Sequence, residues 1–190
     1  MGILRYPAQD LRDRGVTPMP SRLSIRSATE HDAAALVAIY RPFVEDTAVS
    51  FEDVSPTVDE FAARIAKISA SWRWLVAERD GQCLGYAYGS SHRERSAYRW
   101  STEVSAYVDP RHHRQGVGRA LYEQLIDDLM QAGFCNAYAG ITLPNDGSVA
   151  LHRSVGFEPI GTFSSVGWKF GRWHDVAWFQ RGLREQPPGG

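Results

Sequence analysis

The apolar positions in the first part of the chain predict one strand and two helices. Residues 23–28 favour a strand, and the polar residues 29–32 form a capping signal for a helix with apolar positions at helical spacing. Thr57 and Glu60 have the spacing of a capping box, in which each side chain bonds the backbone of the other residue. A second amphipathic helix is therefore expected directly after Thr57.

The spacing then changes to that of a hairpin. Residues 74–79 and 83–89 are rich in apolar and aromatic side chains, and Asp80-Gly81 stands between them. An Asp-Gly pair readily adopts the positive φ angles of a tight turn, so these two segments are expected to pair. Residues 100–108 predict a further strand, which ends at Asp109-Pro110.

The last part of the chain predicts two helices and three more strands. Leu121, Leu125 and Leu129 fall on one stripe of a helix that Gly133 ends. Residues 137–143 favour a strand, residues 146–155 a short helix, and residues 157 to about 180 an antiparallel pair. The expected fold class is α/β with a mixed sheet.

Composition limits the partners and the compartment. Of the 190 residues 43% are apolar, and 21 Lys and Arg stand against 22 Asp and Glu, a formal net charge of −1. This balance provides no overall basic field for nucleic acid, and no apolar run approaches the ~20 residues that cross a bilayer. We expect a cytoplasmic protein without nucleic-acid or membrane partners.

The domain boundaries follow from the two ends of the chain. Residues 1–21 contain three prolines and no sustained period, so they are expected to form a disordered extension. Residues 22–182 are expected to form one domain, and residues 183–190 a flexible tail. Cys83 and Cys135 lack the CxxC spacing of a metal or redox site, and no metal is expected.

A short basic loop with Gly116 and Gly118 carries the clearest chemical signal. The loop follows a predicted strand and leads into a helix, so its backbone N–H groups are free to wrap an anion. Arg111, Arg114 and Arg119 add positive charge, which suits a pyrophosphate. An ordinary helix entry with solvated arginines is the alternative interpretation.

Two familiar phosphate motifs do not match these residues. A Walker loop requires Gly-Lys-Ser/Thr, whereas Gly118 is followed by Arg119-Ala120. A dinucleotide fingerprint requires a third glycine or an alanine where Leu121 stands, and belongs early in a parallel unit. The cradle is therefore of another kind.

The loop and several other segments together resemble the GNAT N-acetyltransferases, in particular the phosphinothricin and methionine sulfoximine branch. The resemblance runs from about residue 24 to residue 179 and implies a mixed, mostly antiparallel central sheet flanked by helices. It also implies acetyl-CoA as co-substrate and a homodimer. The matching segments are Val49-Ser50-Phe51, residues 74–77, Ala97-Tyr98, residues 100–103, residues 114–119, residues 143–146, residues 151–157 and residues 167–175.

The resemblance assigns the carrier-binding residues. It implies that Ala106, Tyr107 and Val108 offer strand-edge backbone to the pantetheine arm. The residues implied at the pyrophosphate are Arg114, Gln115, Gly116, Val117, Gly118 and Arg119, with Asn145 and Ser154 on the far side. Asn145 also suits a helix cap. One departure is His113, which stands where the superfamily usually has Gln or Arg.

Two residues are candidates for proton transfer. A primary amine is mostly protonated at neutral pH and must lose a proton before it attacks a thioester. Glu103 is the candidate base, because a carboxylate in an otherwise apolar and hydroxyl-rich strand is costly without a purpose, and because desolvation in a cleft would raise its pKa. His152 is implied to protonate or to contact the departing sulfur, and simple packing is the alternative.

The acceptor is expected to be the α-amine of a small amino acid or analogue, of the phosphinothricin, methionine sulfoximine or methionine sulfone type. Neither cysteine has an activating neighbour, so direct attack is expected. The residues implied or suited to the acceptor pocket are Phe51, Arg93, Arg95, Ser96, Ala97 and Tyr98. A solvated loop and core packing also explain the arginines and aromatics. Another amine, or an acyl-CoA sensor without activity, remains an alternative function.

Overall fold

The computed structural model describes residues 22–189, so the expected N-terminal extension lies outside the described residues. Within this range the chain forms one seven-stranded sheet and four α-helices. The strands are β1 (Ser24–Ser27), β2 (Trp74–Arg79), β3 (Gln82–Ser91), β4 (Ser101–Val108), β5 (Asn136–Thr142), β6 (Glu158–Lys169) and β7 (Arg172–Gly182). The helices are α1 (Ala33–Glu45), α2 (Val58–Ser69), α3 (Val117–Gln131) and α4 (Asp146–Ser154).

The sheet has the order β1-β2-β3-β4-β5-β7-β6. Every neighbouring pair is antiparallel except β4 and β5, which run parallel. Their pairing starts at Ser101 opposite Asn136 and ends at Glu103 opposite Tyr138, although β4 continues to Val108. The expected α/β class with a mixed, mostly antiparallel sheet is confirmed.

Local sequence signals set several element ends. Thr57 and Glu60 form the expected capping box: the Thr57 N–H donates to Glu60 Oε2 at 2.8 Å, and the Glu60 N–H donates to Thr57 Oγ1 at 3.3 Å. Asp80 and Gly81 have φ angles of 53° and 74°, as the tight turn between β2 and β3 requires. Gly133, at φ 93°, follows the end of α3.

Helices cover both faces of the sheet, and β4 contributes to both cores. Side chains alternate along a strand, so Val104 packs against α3 on one face while Tyr107 packs among the residues of α1 and α2 on the other. The predicted stripe of α3 is fully buried, with Leu121, Leu125 and Leu129 each at 0% exposure. Burial of such a side chain typically stabilises a fold by about 1.5–3 kcal/mol.

The chain stays packed against the domain beyond Gly182. Leu183, placed in the tail by composition, is buried, and its N–H donates to the Cys135 carbonyl at 2.7 Å. Pro188 packs closely against Gly133. A Cβ atom added at Gly133 would lie 2.6 Å from the Pro188 ring. Of the helices in residues 22–189, none has the length and apolarity needed to cross a membrane.

Candidate active site

A cleft of about 530 Å³ opens between the free edge of β4, the N-terminus of α3 and helix α4. Two of these walls are consecutive in the chain, because β4 leads through the glycine loop directly into α3. The third wall, α4, follows β5. The predicted carrier-binding residues that line this cleft are Ala106, Val108, Arg114, Gly116, Val117, Gly118, Arg119, Asn145 and Ser154.

Two other predicted carrier residues lie beside the cleft. Tyr107 lines a smaller chamber next to it. The Gln115 side chain turns toward other protein groups, accepting a hydrogen bond from Arg79 at 3.2 Å and donating one to the Arg111 carbonyl at 3.3 Å. Gln115 is therefore the residue of the glycine loop, between Arg114 and Arg119, that does not line the cleft.

The glycine loop has the backbone geometry of an anion nest. Arg114 and Gly116 both have positive φ angles, 58° and 81°, with Gln115 between them. Alternation of this kind turns successive N–H groups toward one side. The N–H of Ala120 donates to the Gly116 carbonyl at 3.0 Å, so the amides of residues 117–119 precede the hydrogen-bonded turn of α3 and point out of its N-terminus.

The two glycines of the loop are required for different reasons. A Cβ atom on Gly116 would meet nothing within 4 Å, so this glycine serves its positive φ angle rather than a tight contact. A Cβ atom on Gly118 would come within 2.9 Å of Leu151 Cδ2, so this glycine lets α3 approach α4 closely. The two helices can therefore form opposite walls of one cleft.

Charged partners fix the start of the loop. Asp109 accepts the Arg111 N–H at 2.9 Å and pairs with the Arg111 guanidinium, and these bonds hold the pKa of Asp109 below its usual range. His113 Nε2 lies 2.9 Å from the Val108 carbonyl. Arg119 pairs with Glu123 one turn along α3 at 2.7 Å. Among the described residues, Arg114 has no acidic partner, which leaves its guanidinium available to an anion.

A smaller chamber of about 60 Å³ lies where β4 and β5 separate. Ser105 and Tyr107 line it from β4, and Gly140 and Ile141 line it from β5. The chamber shares Ala106, Val49, Tyr122, Asn145, Ser148 and His152 with the larger cleft. A ligand that enters along the edge of β4 therefore reaches the space between the two strands.

A buried hydrogen-bonded pair lies between the two cavities. The Tyr122 hydroxyl is 2.9 Å from His152 Nε2, and His152 Nδ1 is 2.8 Å from the Ser148 carbonyl. A carbonyl only accepts, so Nδ1 carries the hydrogen of the neutral ring. Nε2 then has a free lone pair and accepts from the Tyr122 hydroxyl. Burial lowers the pKa of His152, which favours this neutral form.

In this arrangement His152 has no hydrogen to offer the cleft, and the group that can rotate its hydrogen toward a ligand is the Tyr122 hydroxyl. Sequence reasoning missed Tyr122, because it stands beside the Leu121 stripe and helical spacing does not distinguish a core position from the floor of a cleft.

Glu103 occupies the last position at which β4 pairs with β5. Its Oε1 lies 3.0 Å from His92 Nδ1 and 3.4 Å from Arg93 Nη1, and its side chain is 30% exposed. Glu103 lines neither cavity. The next residue on the same strand face is Ser105, about 7 Å further along by strand geometry, and Ser105 lines the smaller chamber.

The expected acceptor residues separate into two groups. Arg93 and Tyr98 lie around Glu103 and His92, with the Tyr98 ring 5.8 Å from the His92 ring. Ser96 and Ala97 form a single 3-10 turn with Tyr98, and Arg95 precedes that turn. Phe51 lies elsewhere, packed on the backbone of Gly167 in β6 and 6.1 Å from the His174 ring.

The loop between α1 and α2 contributes Val49, which the sequence analysis did not place in the site. Val49 lines both cavities. The loop is held by Lys169, whose buried Nζ donates to the carbonyls of Val44, Ser50 and Glu52 at 2.5, 2.8 and 2.9 Å. No local pattern could have indicated this anchor, because Lys169 lies far along the chain from its acceptors.

Comparisons with known proteins agree with this architecture. The Acetyltransferase (GNAT) domain family matches residues 25–178. The phosphinothricin N-acetyltransferase of Streptomyces viridochromogenes is 36% identical over 173 residues, 91% of this chain and 94% of that protein. The L-methionine sulfoximine/L-methionine sulfone acetyltransferase of Salmonella typhimurium is 36% identical over 164 residues, 86% of this chain and 96% of that protein.

A solved structure gives the same result for the fold. The crystal structure of a GNAT superfamily phosphinothricin acetyltransferase from Sinorhizobium meliloti, in complex with AcCoA, matches with a TM-score of 0.84 and 35% identity. The match covers 88% of this chain and 94% of that one. The family expected from the sequence is confirmed: the chain belongs to the GNAT acetyltransferases.

Proposed function

We propose that this protein transfers an acetyl group from acetyl-CoA to the α-amine of a small amino acid or analogue of the phosphinothricin, methionine sulfoximine or methionine sulfone type. The observation that carries the proposal is the anion nest at Arg114 and Gly116, which opens into a cleft beside the free edge of β4. Acetyl-CoA supplies an activated acetyl thioester. The residues of the chain bind it, deprotonate the amine and contact the departing sulfur.

The groups around the cleft suit the carrier. Amides of residues 114–119 and the Arg114 guanidinium suit a diphosphate, because within residues 22–189 these donors have no hydrogen-bond acceptor. The edge of β4 at residues 106–108 suits an extended arm that carries amides. Asn145 caps α4 through Oδ1, which accepts the Ser148 N–H at 3.1 Å, so its NH₂ group is left for the ligand. Ser154, on α4, completes the far wall.

Glu103 supplies the basic group in this proposal, directly or through water. It lies one step along β4 from the small chamber, on the strand face shared with Ser105. The acceptor amine would then enter on the Glu103 side, while the thioester enters from the cleft, and the two would meet where β4 and β5 separate.

The Tyr122 and His152 pair is proposed to contact the departing sulfur. Burial of both side chains favours a hydrogen-bonded neutral pair, and the Tyr122 hydroxyl can rotate its hydrogen from His152 to a developing thiolate. His152 then acts as the group that orients the hydroxyl. Arg93 and Arg95 are proposed to recognise the carboxylate or phosphinate of the acceptor, since a guanidinium binds two oxygens at once.

A thiol-release assay with a panel of acceptors tests this function. Phosphinothricin, methionine sulfoximine and methionine sulfone should be acetylated faster than polyamines and peptides with a free N-terminus. Faster turnover of a polyamine or peptide would assign another amine. Tight acetyl-CoA binding with no turnover on any amine would overturn the transferase proposal in favour of a sensor.

We also propose a cytoplasmic homodimer. The β6–β7 hairpin exposes large apolar side chains, with Trp168, Phe170 and Trp173 each at 59% and Phe163 and Val166 at 50%. Several exposed large apolar side chains on one hairpin favour association with another protein surface, and a second copy is the partner we propose. Sedimentation equilibrium should give the mass of two chains, and a monomer at micromolar concentration would overturn the assignment.

A further inference from the structure

His92 is a histidine beside Glu103 that the proposed function leaves without a role. It follows β3 directly, and its side chain is only 13% exposed. Its ring stacks on Tyr138 of β5, with centroids 4.4 Å apart and planes 15° from parallel. The stack fixes the plane of the imidazole, and Glu103 fixes its rotation within that plane.

The partner of Nδ1 sets the tautomer of this ring. A carboxylate oxygen only accepts, so Glu103 Oε1, at 3.0 Å, requires the hydrogen on Nδ1. The lone pair of neutral His92 is then on Nε2, which bonds no other residue within 22–189. A carboxylate, an oriented imidazole and a free ring nitrogen form the pattern by which a histidine acts as a general base.

We propose that His92 Nε2 receives the proton of the acceptor ammonium, and that Glu103 is the carboxylate that orients and stabilises His92. This inference rests on the proposed function and changes one assignment in it: His92 takes the proton, and Glu103 orients and stabilises His92. It also places the base in the segment that carries Arg93 and Tyr98, so the elements that bind the acceptor would also deprotonate it.

The proton balance is complete without another reagent. The ammonium N–H bond breaks and the Nε2–H bond forms, which leaves an imidazolium paired with Glu103 and a neutral amine. The amine nitrogen forms the new C–N bond as the C–S bond breaks. The second proton of the nitrogen leaves with the sulfur as thiol, and His92 returns its proton to water.

Side chains from three strands and from its own segment face His92. Glu103 approaches it from β4, Tyr138 from β5 and the Trp178 ring from β7 at 6.4 Å, while Arg93 and Tyr98 belong to its own segment. Arg93 Nη1 lies 3.4 Å from the same carboxylate oxygen, so Arg93 and His92 both pair with Glu103. Imidazoles as a class titrate nearer to neutral pH than carboxylic acids do, which suits a general base at that pH.

Two substitutions separate a proton carrier from a residue that merely positions Glu103. In His92→Asn the amide nitrogen takes the place of Nδ1 and can still donate to Glu103, but Nε2 is gone. In His92→Phe the stack on Tyr138 remains and both nitrogens are gone. Single-turnover rates with the fastest acceptor should fall at least ~100-fold in both variants, with the Kd for acetyl-CoA unchanged. His92→Asn at nearly the wild-type rate would overturn the proposal.

A spectroscopic measurement on the wild-type protein does not depend on turnover. The ¹⁵N chemical shifts of the His92 ring should identify a hydrogen on Nδ1 and a lone pair on Nε2, and Glu103→Gln should shift that balance. A hydrogen on Nε2 at neutral pH would overturn the assignment even if transfer is fast. If the amine panel gives no turnover, the proposed function fails, whereas the tautomer still decides whether this pair is built as inferred.

Discussion

Substitution of Gly116 by alanine tests the cradle most directly. Gly116 has a φ angle of 81°, and an L residue held in this region costs about 1–2 kcal/mol. The added methyl group meets nothing within 4 Å, so no clash adds to this cost. The free energy of unfolding should therefore fall by about 1–2 kcal/mol, and the fold should remain.

The effect on carrier binding follows from relaxation of the loop. An alanine at position 116 favours a negative φ angle, and a loop that moves to satisfy it turns at least one amide out of the nest. A hydrogen bond to a charged group is worth about 1.5–3 kcal/mol, and 1.4 kcal/mol is tenfold in affinity. The Kd for acetyl-CoA should rise roughly 10- to 100-fold, measured by calorimetry.

Gly81→Ala is the matched control. Gly81 has a φ angle of 74° and also has open space around its Cβ position, but it lies in the β2–β3 turn and lines neither cavity. The unfolding free energy of Gly81→Ala should fall by the same amount as that of Gly116→Ala, whereas its Kd for acetyl-CoA should equal that of the wild type. If Gly116→Ala is destabilised as much as this control and yet binds acetyl-CoA as the wild type does, the loop is an ordinary helix entry.

Three further predictions concern the proton-transfer groups. Glu103→Gln should lower the turnover number at neutral pH by at least ~100-fold with little change in acetyl-CoA affinity, and unchanged turnover would remove Glu103 from the reaction. Tyr122→Phe leaves His152 Nε2 buried without a donor, so the unfolding free energy should fall by about 1–3 kcal/mol and turnover should fall with it; a stable variant with full turnover would exclude the hydroxyl from the sulfur site. Burial lowers the pKa of His152, so the unfolded state binds more protons below about pH 6.5. The free energy of unfolding should therefore decrease as the pH falls below that value, and less steeply in His152→Gln; equal slopes in denaturant titrations would contradict the assignment.

Local chemistry explains why much of the fold was predictable. The Thr57 capping box and the Asp80-Gly81 turn involve residues close in sequence, and their geometry depends little on the rest of the protein. The same holds for the nest, because positive φ at Gly116 and free amides at a helix N-terminus are backbone properties. A glycine loop after a strand therefore predicts an anion site without reference to tertiary contacts.

Residues whose function depends on tertiary neighbours were not predictable. His92 acquires its orientation from Tyr138, which lies on a strand that follows the whole of α3. Val49 reaches the cleft because Lys169, near the end of β6, holds its loop. Leu183 is buried although the composition around it is that of a tail. In each case the decisive partner lies far along the chain, where no spacing rule associates it with the residue.

The break between β4 and β5 brings the proposed carrier site next to Glu103. After Glu103 the two strands separate, but β5 remains paired with β7 as far as Thr142 opposite Val176. The other edge of β4 also remains paired, with Val108 opposite Gly85 of β3. The separation is therefore not fraying: it frees one edge of one strand, and a ligand with amide groups can complete that edge as a neighbouring strand would. Because the freed edge begins at the last paired residue, Glu103 lies at its start, where the proposed base and the proposed carrier site adjoin.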